Sequence, residues 1–137
     1  MKNLYKCALV ALAFISASAF AGLTQPQVVV IDMAARTAMG DMVSARTAAN
    51  ELEFIGCGIR HLDDGAGGAF ELGFCQAGDA GGQIITCATQ NPGLLKAIAA
   101  MTDSSYVTFD WDESEFCTRI GNSAQSFYLP KNVKGNN

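Results

Sequence analysis

The sequence has few of the side chains on which metal sites and acid–base catalysis usually depend. Its 137 residues include one histidine, His61. A zinc site usually takes four cysteine or histidine ligands at close spacings, and here the cysteines are far apart. The C-x-x-C spacing that is typical of thiol redox sites is also missing. The sequence therefore predicts no metal and no other cofactor.

Long apolar runs and basic clusters are missing as well. The longest apolar stretch that matters here, residues 7–15, is too short to cross a bilayer, because a transmembrane helix needs about 20 apolar residues. The basic side chains beyond it are scattered along the chain, so no nucleic-acid partner is predicted. The formal net charge is −4, and this acidic balance suits either a soluble exported protein or a cationic partner.

Residues 1–21 have the features of a secretory signal peptide. Lys2 and Lys6 precede the apolar stretch, and Ala19-Phe20-Ala21 fits the A-x-A cleavage pattern. We therefore predict a signal peptide over 1–21 and a single exported domain over 22–137, in a bacterial periplasm or outside the cell. Removal of the two lysines leaves seven basic and thirteen acidic residues, a net charge of −6. No stable membrane insertion is expected after cleavage.

Four cysteines lie in the predicted mature chain, and an even number in an exported protein indicates a disulfide framework. Two strand-like segments flank the turn at 76–82, whose glycines supply positive φ. Counting outward from this turn places Cys75 opposite Cys87, so we predict a disulfide between them. By elimination, Cys57 then pairs with Cys117.

The same hairpin register predicts which side chains face the core. Cys75 and Cys87 share a face with polar residues such as Glu71 and Gln83. The opposite face is therefore expected to pack inward. It carries Phe70, Leu72, Phe74, Ile84 and Thr86.

The remaining patterns predict an α+β protein. Asn91 and Pro92 suit the start of a helix whose apolar residues recur every three or four positions. Strict alternation over 106–111 predicts a strand, with a hairpin partner near 116–120. Together with strands near 51–59 and in the 70–88 hairpin, and a short helix near 41–48, this gives a small antiparallel sheet of about five strands. The expected order is β-β-β-α-β-β, with one main helix on one face of the sheet and two disulfides.

Two functions from different classes fit this outline. The first is an exported binding or inhibitor-like protein of unknown target, with a candidate binding surface in which aromatic and acidic residues alternate, suited to a cationic protein. That surface comprises Tyr106, Asp110, Asp112, Glu113 and Tyr128. The alternative is a small exported hydrolase that uses His61 with a nearby carboxylate. A buried His61 beside a serine hydroxyl would favour the hydrolase, and an exposed His61 would favour the binding protein.

We predict that the exported protein begins at Gly22, because the small residues before it fit the cleavage pattern. Intact mass and N-terminal sequencing of secreted material measure this directly. Retention of Met1, or a start far from Gly22, would contradict the prediction.

Overall fold

The computed structural model describes residues 23–129, so the predicted signal peptide lies outside the described residues. Within that range the chain is mostly β-structure with short helices. The elements are β1 Val30–Asp32, β2 Thr37–Asp41, α1 Met42–Thr47, β3 Phe54–Asp63, β4 Ala69–Gly78, β5 Ile84–Thr89, α2 Pro92–Ala99, β6 Tyr106–Trp111 and β7 Cys117–Ser123, followed by one 3₁₀ turn at Ser126–Tyr128.

The strands form two antiparallel sheets. One has four strands in the order β1-β2-β6-β7, and the other has three in the order β3-β4-β5. The predicted antiparallel pairing is confirmed, but the prediction of one sheet with about five strands is wrong. The two strands beyond these five are β1, which has only three residues, and β2, whose Ala38 and Gly40 lack the β-branched or aromatic side chains by which strands are recognised. Because β2 pairs with β6, the late hairpin β6–β7 joins β1 and β2 and leaves β3–β5 as a separate sheet.

Side-chain caps begin both helices. At α2, the Asn91 side chain accepts a hydrogen bond from the Gly93 amide at 2.8 Å, and Pro92 occupies the first helical position, as predicted. At α1, the buried Asp41 carboxylate accepts hydrogen bonds from the amides of Ser44 and Gln27. Asp41 is also the last residue of β2, so this one side chain fixes where the strand ends and α1 begins.

Two disulfides are present, but the predicted pairing is wrong. Cys57 is bonded to Cys75 within the three-stranded sheet, and Cys87 is bonded to Cys117, which joins β5 to β7 across the two sheets. The predicted register is nevertheless correct, because Cys75 does lie opposite Cys87. Cys75 is on the middle strand, so it also lies opposite Cys57 on its other side. The hairpin register alone identifies only the neighbour on β5 and not the one on β3.

The predicted core face of the β4–β5 hairpin is also wrong. Cys75 and Cys87 are fully buried, whereas Phe70 and Ile84 are exposed and Leu72, Phe74 and Thr86 are half-buried. The reason lies in the disulfides, since only a cysteine on the inner face of β5 can reach β7 in the other sheet. The face that carries Phe70, Leu72, Phe74, Ile84 and Thr86 is therefore the outer one.

On the outer face, two aromatic rings pack over glycines of the neighbouring strand. A Cβ atom added at Gly58 would lie 2.9 Å from the ring of Phe74, the residue directly opposite it on β4. Phe54 covers Gly78 in the same way at the other end of the sheet. Each ring thus packs over a glycine backbone, which supports the pairing of β3 with β4 without burying the ring in the core.

We predict that non-reducing peptide mapping of the secreted protein will find the linkages 57–75 and 87–117. The loops that they close span 18 and 30 residues. Removing the first pair by alanine substitution should lower the free energy of unfolding by about 3 kcal/mol, and removing the second by about 4 kcal/mol, because each loop restrains the unfolded chain. Chemical denaturation measures both values. A 75–87 peptide would contradict the pairing.

Candidate functional site

The residues proposed for a hydrolase do not come together into a catalytic arrangement. His61 lies on strand β3 rather than in a loop, and its side chain is 73% exposed. Its Nδ1 atom is 3.4 Å from Oε1 of Glu71, directly across the strand pair. No serine or threonine hydroxyl among residues 23–129 makes a hydrogen bond with His61. A nucleophile activated by histidine requires such a contact.

The candidate aromatic and acidic surface is partly assembled. The rings of Tyr106 and Tyr128 stack at 5.4 Å between centroids, on the outer side of the four-stranded sheet. On the same face, Arg119 donates to both oxygens of Asp110, at 2.6 and 2.8 Å. This hydrogen-bonded guanidinium holds the pKa of Asp110 below its ordinary value. Burial and the neighbouring Tyr128 raise the pKa of Tyr106.

The other two acidic residues of that surface are also engaged within the protein. The Glu113 carboxylate is 2.7 Å from the guanidinium of Arg36. The Asp112 carboxylate accepts hydrogen bonds from the amides of Ser114 and Phe116 and so fixes the β6–β7 turn. The carboxylates are therefore balanced by the chain's own arginines and amides, and they leave little unpaired negative charge for a cationic partner.

A different feature, which sequence reasoning did not find, is a groove along the free edge of β3. β3 is the outermost strand of its sheet, with β4 on one side and no strand on the other within residues 23–129. Two successive clefts, of about 610 and 320 Å³, follow this edge. Residues 53–55 line the first cleft and residues 57–59 line the second. Consecutive strand residues alternate between faces, so a cleft lined by all three borders the backbone edge itself.

We call these two clefts together the β3 groove. Helix α1 borders the first cleft, and the end of α2 with the loop after it borders the second. Met42 and Asp103 line both clefts and mark the point where they meet. The lining is mixed, with apolar side chains between charged ones. It includes Met42, Ala45, Ile98 and Met101, together with Arg46, Glu51, Glu53 and Asp103.

Backbone groups of β3 point into the groove at alternate residues. The Asp64 amide bonds to the Gly68 carbonyl, and in an antiparallel pair such hydrogen-bonded positions recur every second residue. Even-numbered residues of β3 therefore bond to β4. The short Cα–Cα distance of 4.0 Å between Cys57 and Cys75 agrees, because non-bonded pairs are the closer ones. The N–H and C=O groups of Ile55, Cys57 and Ile59 consequently face the free edge.

These edge groups have no hydrogen-bond partner among the described residues. The β4–β5 pair gives the same assignment of which β3 residues bond to β4. The Asp79 amide bonds to the Gln83 carbonyl, which assigns the odd-numbered residues of β4 to β5 and leaves its even-numbered residues for β3. An unpaired strand edge is a template for pairing with another chain. The groove therefore has hydrogen-bond capacity on its floor as well as apolar walls.

The outer face of the same sheet is apolar and open to solvent. Phe54, Phe70 and Ile84 are 40%, 41% and 63% exposed. The Arg60 guanidinium lies 5.0 Å from the centre of the Phe74 ring, a cation–π contact on this face. Phe54 also lines the first cleft, so the apolar face and the β3 groove are continuous.

The chain matches no protein-family model, no curated protein and no solved structure. Within residues 23–129, no helix is long and apolar enough to cross a membrane. No group of three or more potential metal-binding side chains is found in the same range.

We predict an acid-sensitive contribution to stability from Asp110. Its pKa is held below the ordinary value of 3.8, so the carboxylate stabilises the fold above that pH and this contribution is lost as the pH falls through the lowered pKa. At neutral pH, Asp110→Asn should lower the free energy of unfolding by no more than about 1 kcal/mol, because the Asp110–Arg119 pair is partly exposed and solvent screens it.

The difference between Asp110→Asn and wild type should shrink as the pH falls below 3.8 and through the lowered pKa of Asp110. Urea denaturation at several pH values measures it. The control is Asp103→Asn, since the Asp103 carboxylate accepts no hydrogen bond from the described residues. An equal, pH-independent loss in both variants would contradict the assignment.

Proposed function

We propose that this chain is an exported protein that binds another protein through the β3 groove. The observation that carries the proposal is the free edge of β3, bordered along residues 53–59 by two adjoining clefts. Natural proteins usually cover or blunt such edges, because an open edge invites pairing with other chains. Here α1 and the end of α2 border successive parts of the edge, and no strand among residues 23–129 pairs with it.

The disulfides support the exported setting. Two intramolecular disulfides indicate a chain that folds in an oxidising compartment. The first of them also restrains the floor of the groove, because Cys57 lies on that floor and is bonded to Cys75 on β4. A floor that is held in place before binding loses less conformational entropy when a partner binds. No contact in the described residues favours the hydrolase, whose His61 is exposed and paired with Glu71.

The partner can be identified by site-specific photocrosslinking. A benzoyl-phenylalanine placed at Thr102, which lines the groove, should crosslink to one defined protein from periplasm or culture medium. The control position is Thr118, an exposed residue on β7. Unlabelled wild-type protein should compete for the crosslink. Equal crosslinking from Thr118, or no competition, would contradict binding at the groove.

We predict that Ala99→Arg weakens the affinity for the crosslinked partner by at least about tenfold, because the long side chain enters the second cleft. Its matched control is Ala100→Arg, which adds the same side chain to an adjacent exposed residue outside the groove lining. Isothermal titration calorimetry with the purified partner measures both. Equal effects of the two substitutions would contradict the proposed site.

A further inference from the structure

We infer that the β3 groove binds an extended segment of its partner as a fourth strand of the three-stranded sheet, with basic side chains at alternate positions. This inference rests on the proposed function and names the binding mode and the chemistry of the partner. The recognition mode is strand addition, in which backbone hydrogen bonds give affinity and alternate side chains give specificity.

The backbone groups required for strand addition are spaced along the floor of the groove. Ile55, Cys57 and Ile59 each direct an N–H and a C=O group to the free edge, so six hydrogen bonds are available over five residues. With a rise of about 3.3 Å per residue, these positions span about 13 Å. A partner segment of five to seven residues is long enough to use all of them. The Cys57–Cys75 disulfide ties this part of β3 to β4 on the opposite side.

The two faces of the sheet give the added strand two different environments. Directly opposite residues of paired strands point to the same face. Side chains opposite Ile55, Cys57 and Ile59 therefore enter the groove between α1 and α2. The intervening side chains lie on the outer face, beside Gly56 and the ring of Phe54. A Cβ atom added to Gly56 would lie 4.0 Å from the Met42 methyl group, so this flexible side chain reaches past the edge and has to move aside when a strand is added.

The charges in the groove favour lysine or arginine at the positions that enter it. Three carboxylates, those of Glu51, Glu53 and Asp103, line the groove against one guanidinium, that of Arg46. Glu53 is held by the Asn50 amide at 2.8 Å and the Val29 amide at 3.2 Å. Glu51 and Asp103 are exposed and accept no hydrogen bond from the described residues.

Lysine and arginine also fit the apolar part of the groove. Their aliphatic stems can pack along apolar surface while the charged ends remain in water. Met42 and Met101 supply that surface beside Asp103, which both clefts share. A second copy of this chain is a poorer occupant, because edge-to-edge pairing of two β3 strands would bring two sets of the same carboxylates together.

The test uses blocked seven-residue peptides and the oxidised mature chain. A peptide of alternating valine and lysine should bind, and the alternating valine and glutamate peptide should bind at least about tenfold more weakly. Reversing the charge of the groove with Glu51→Lys and Asp103→Lys should reverse this preference. The control is Glu71→Lys with Glu115→Lys, which makes the same change of charge outside the groove and should preserve the preference.

Backbone methylation of the peptide separates strand addition from general charge attraction. In an added strand only one alternate set of peptide amides faces β3. Methylating the amides of one set, either those of the lysines or those of the valines, should therefore weaken binding by at least about tenfold, while methylating the other set is tolerated. Equal effects of the two methylated peptides would overturn the inference.

Three further outcomes would also overturn it. The first is equal affinity for the two peptides, and the second is the same change of peptide preference in the groove and control variants. The third is a concentration-dependent dimer of the free chain that the peptide does not dissociate, as measured by analytical ultracentrifugation. None of them contradicts the proposed function if Ala99→Arg still weakens binding of the crosslinked partner and Ala100→Arg does not. The failure of the inference and the failure of the function are thus distinguishable.

Discussion

A row of four cysteines across the two sheets is the constraint on which the rest of the structure depends. Cys57, Cys75 and Cys87 lie opposite one another on three neighbouring strands, and Cys117 continues the row on the other sheet. One disulfide fixes β3 to β4, and the other fixes β5 to β7. β3 is bonded to β4 along one edge, and no strand among residues 23–129 pairs with its other edge. The β3 groove lies along this unpaired edge.

In the three-stranded sheet, large aromatic side chains lie on the outer face and not on the face that packs against the core. The inner face must accept α2 closely, and a Cβ atom at Gly73 would lie 2.7 Å from Leu95 and 2.8 Å from Ile98. Gly73, Ala77 and the disulfides keep that face close to α2 where the helix packs, and Ile55 and Ile85 fill the rest of it. Phe54 and Phe74 pack over glycines on the outer face. Large exposed apolar surface of this kind is typical of a protein that meets a partner.

Sequence patterns within a few residues predicted the helix, strand and hairpin that are stabilised by contacts between residues close in the chain. The cap at Asn91 with Pro92 indicated α2, and alternation indicated β6 over the residues that the structure shows. The β4–β5 register was also predictable from the turn. Register specifies which cysteines are opposite each other, but it does not say which neighbour of a middle strand forms the bond. The groove could not be predicted at all, because α1 and α2 border β3 only after the tertiary fold has formed.

Amide hydrogen exchange along β3 tests the central claim, that this edge is free and becomes paired by a partner strand. In the free protein the amides of Ile55, Cys57 and Ile59 should exchange rapidly, while those of Gly56 and Gly58, bonded to β4, should be protected. With the valine–lysine peptide bound, all five should be protected. Equal protection of the five amides in the free protein, or unchanged exchange of Ile55, Cys57 and Ile59 in the complex, would contradict the account.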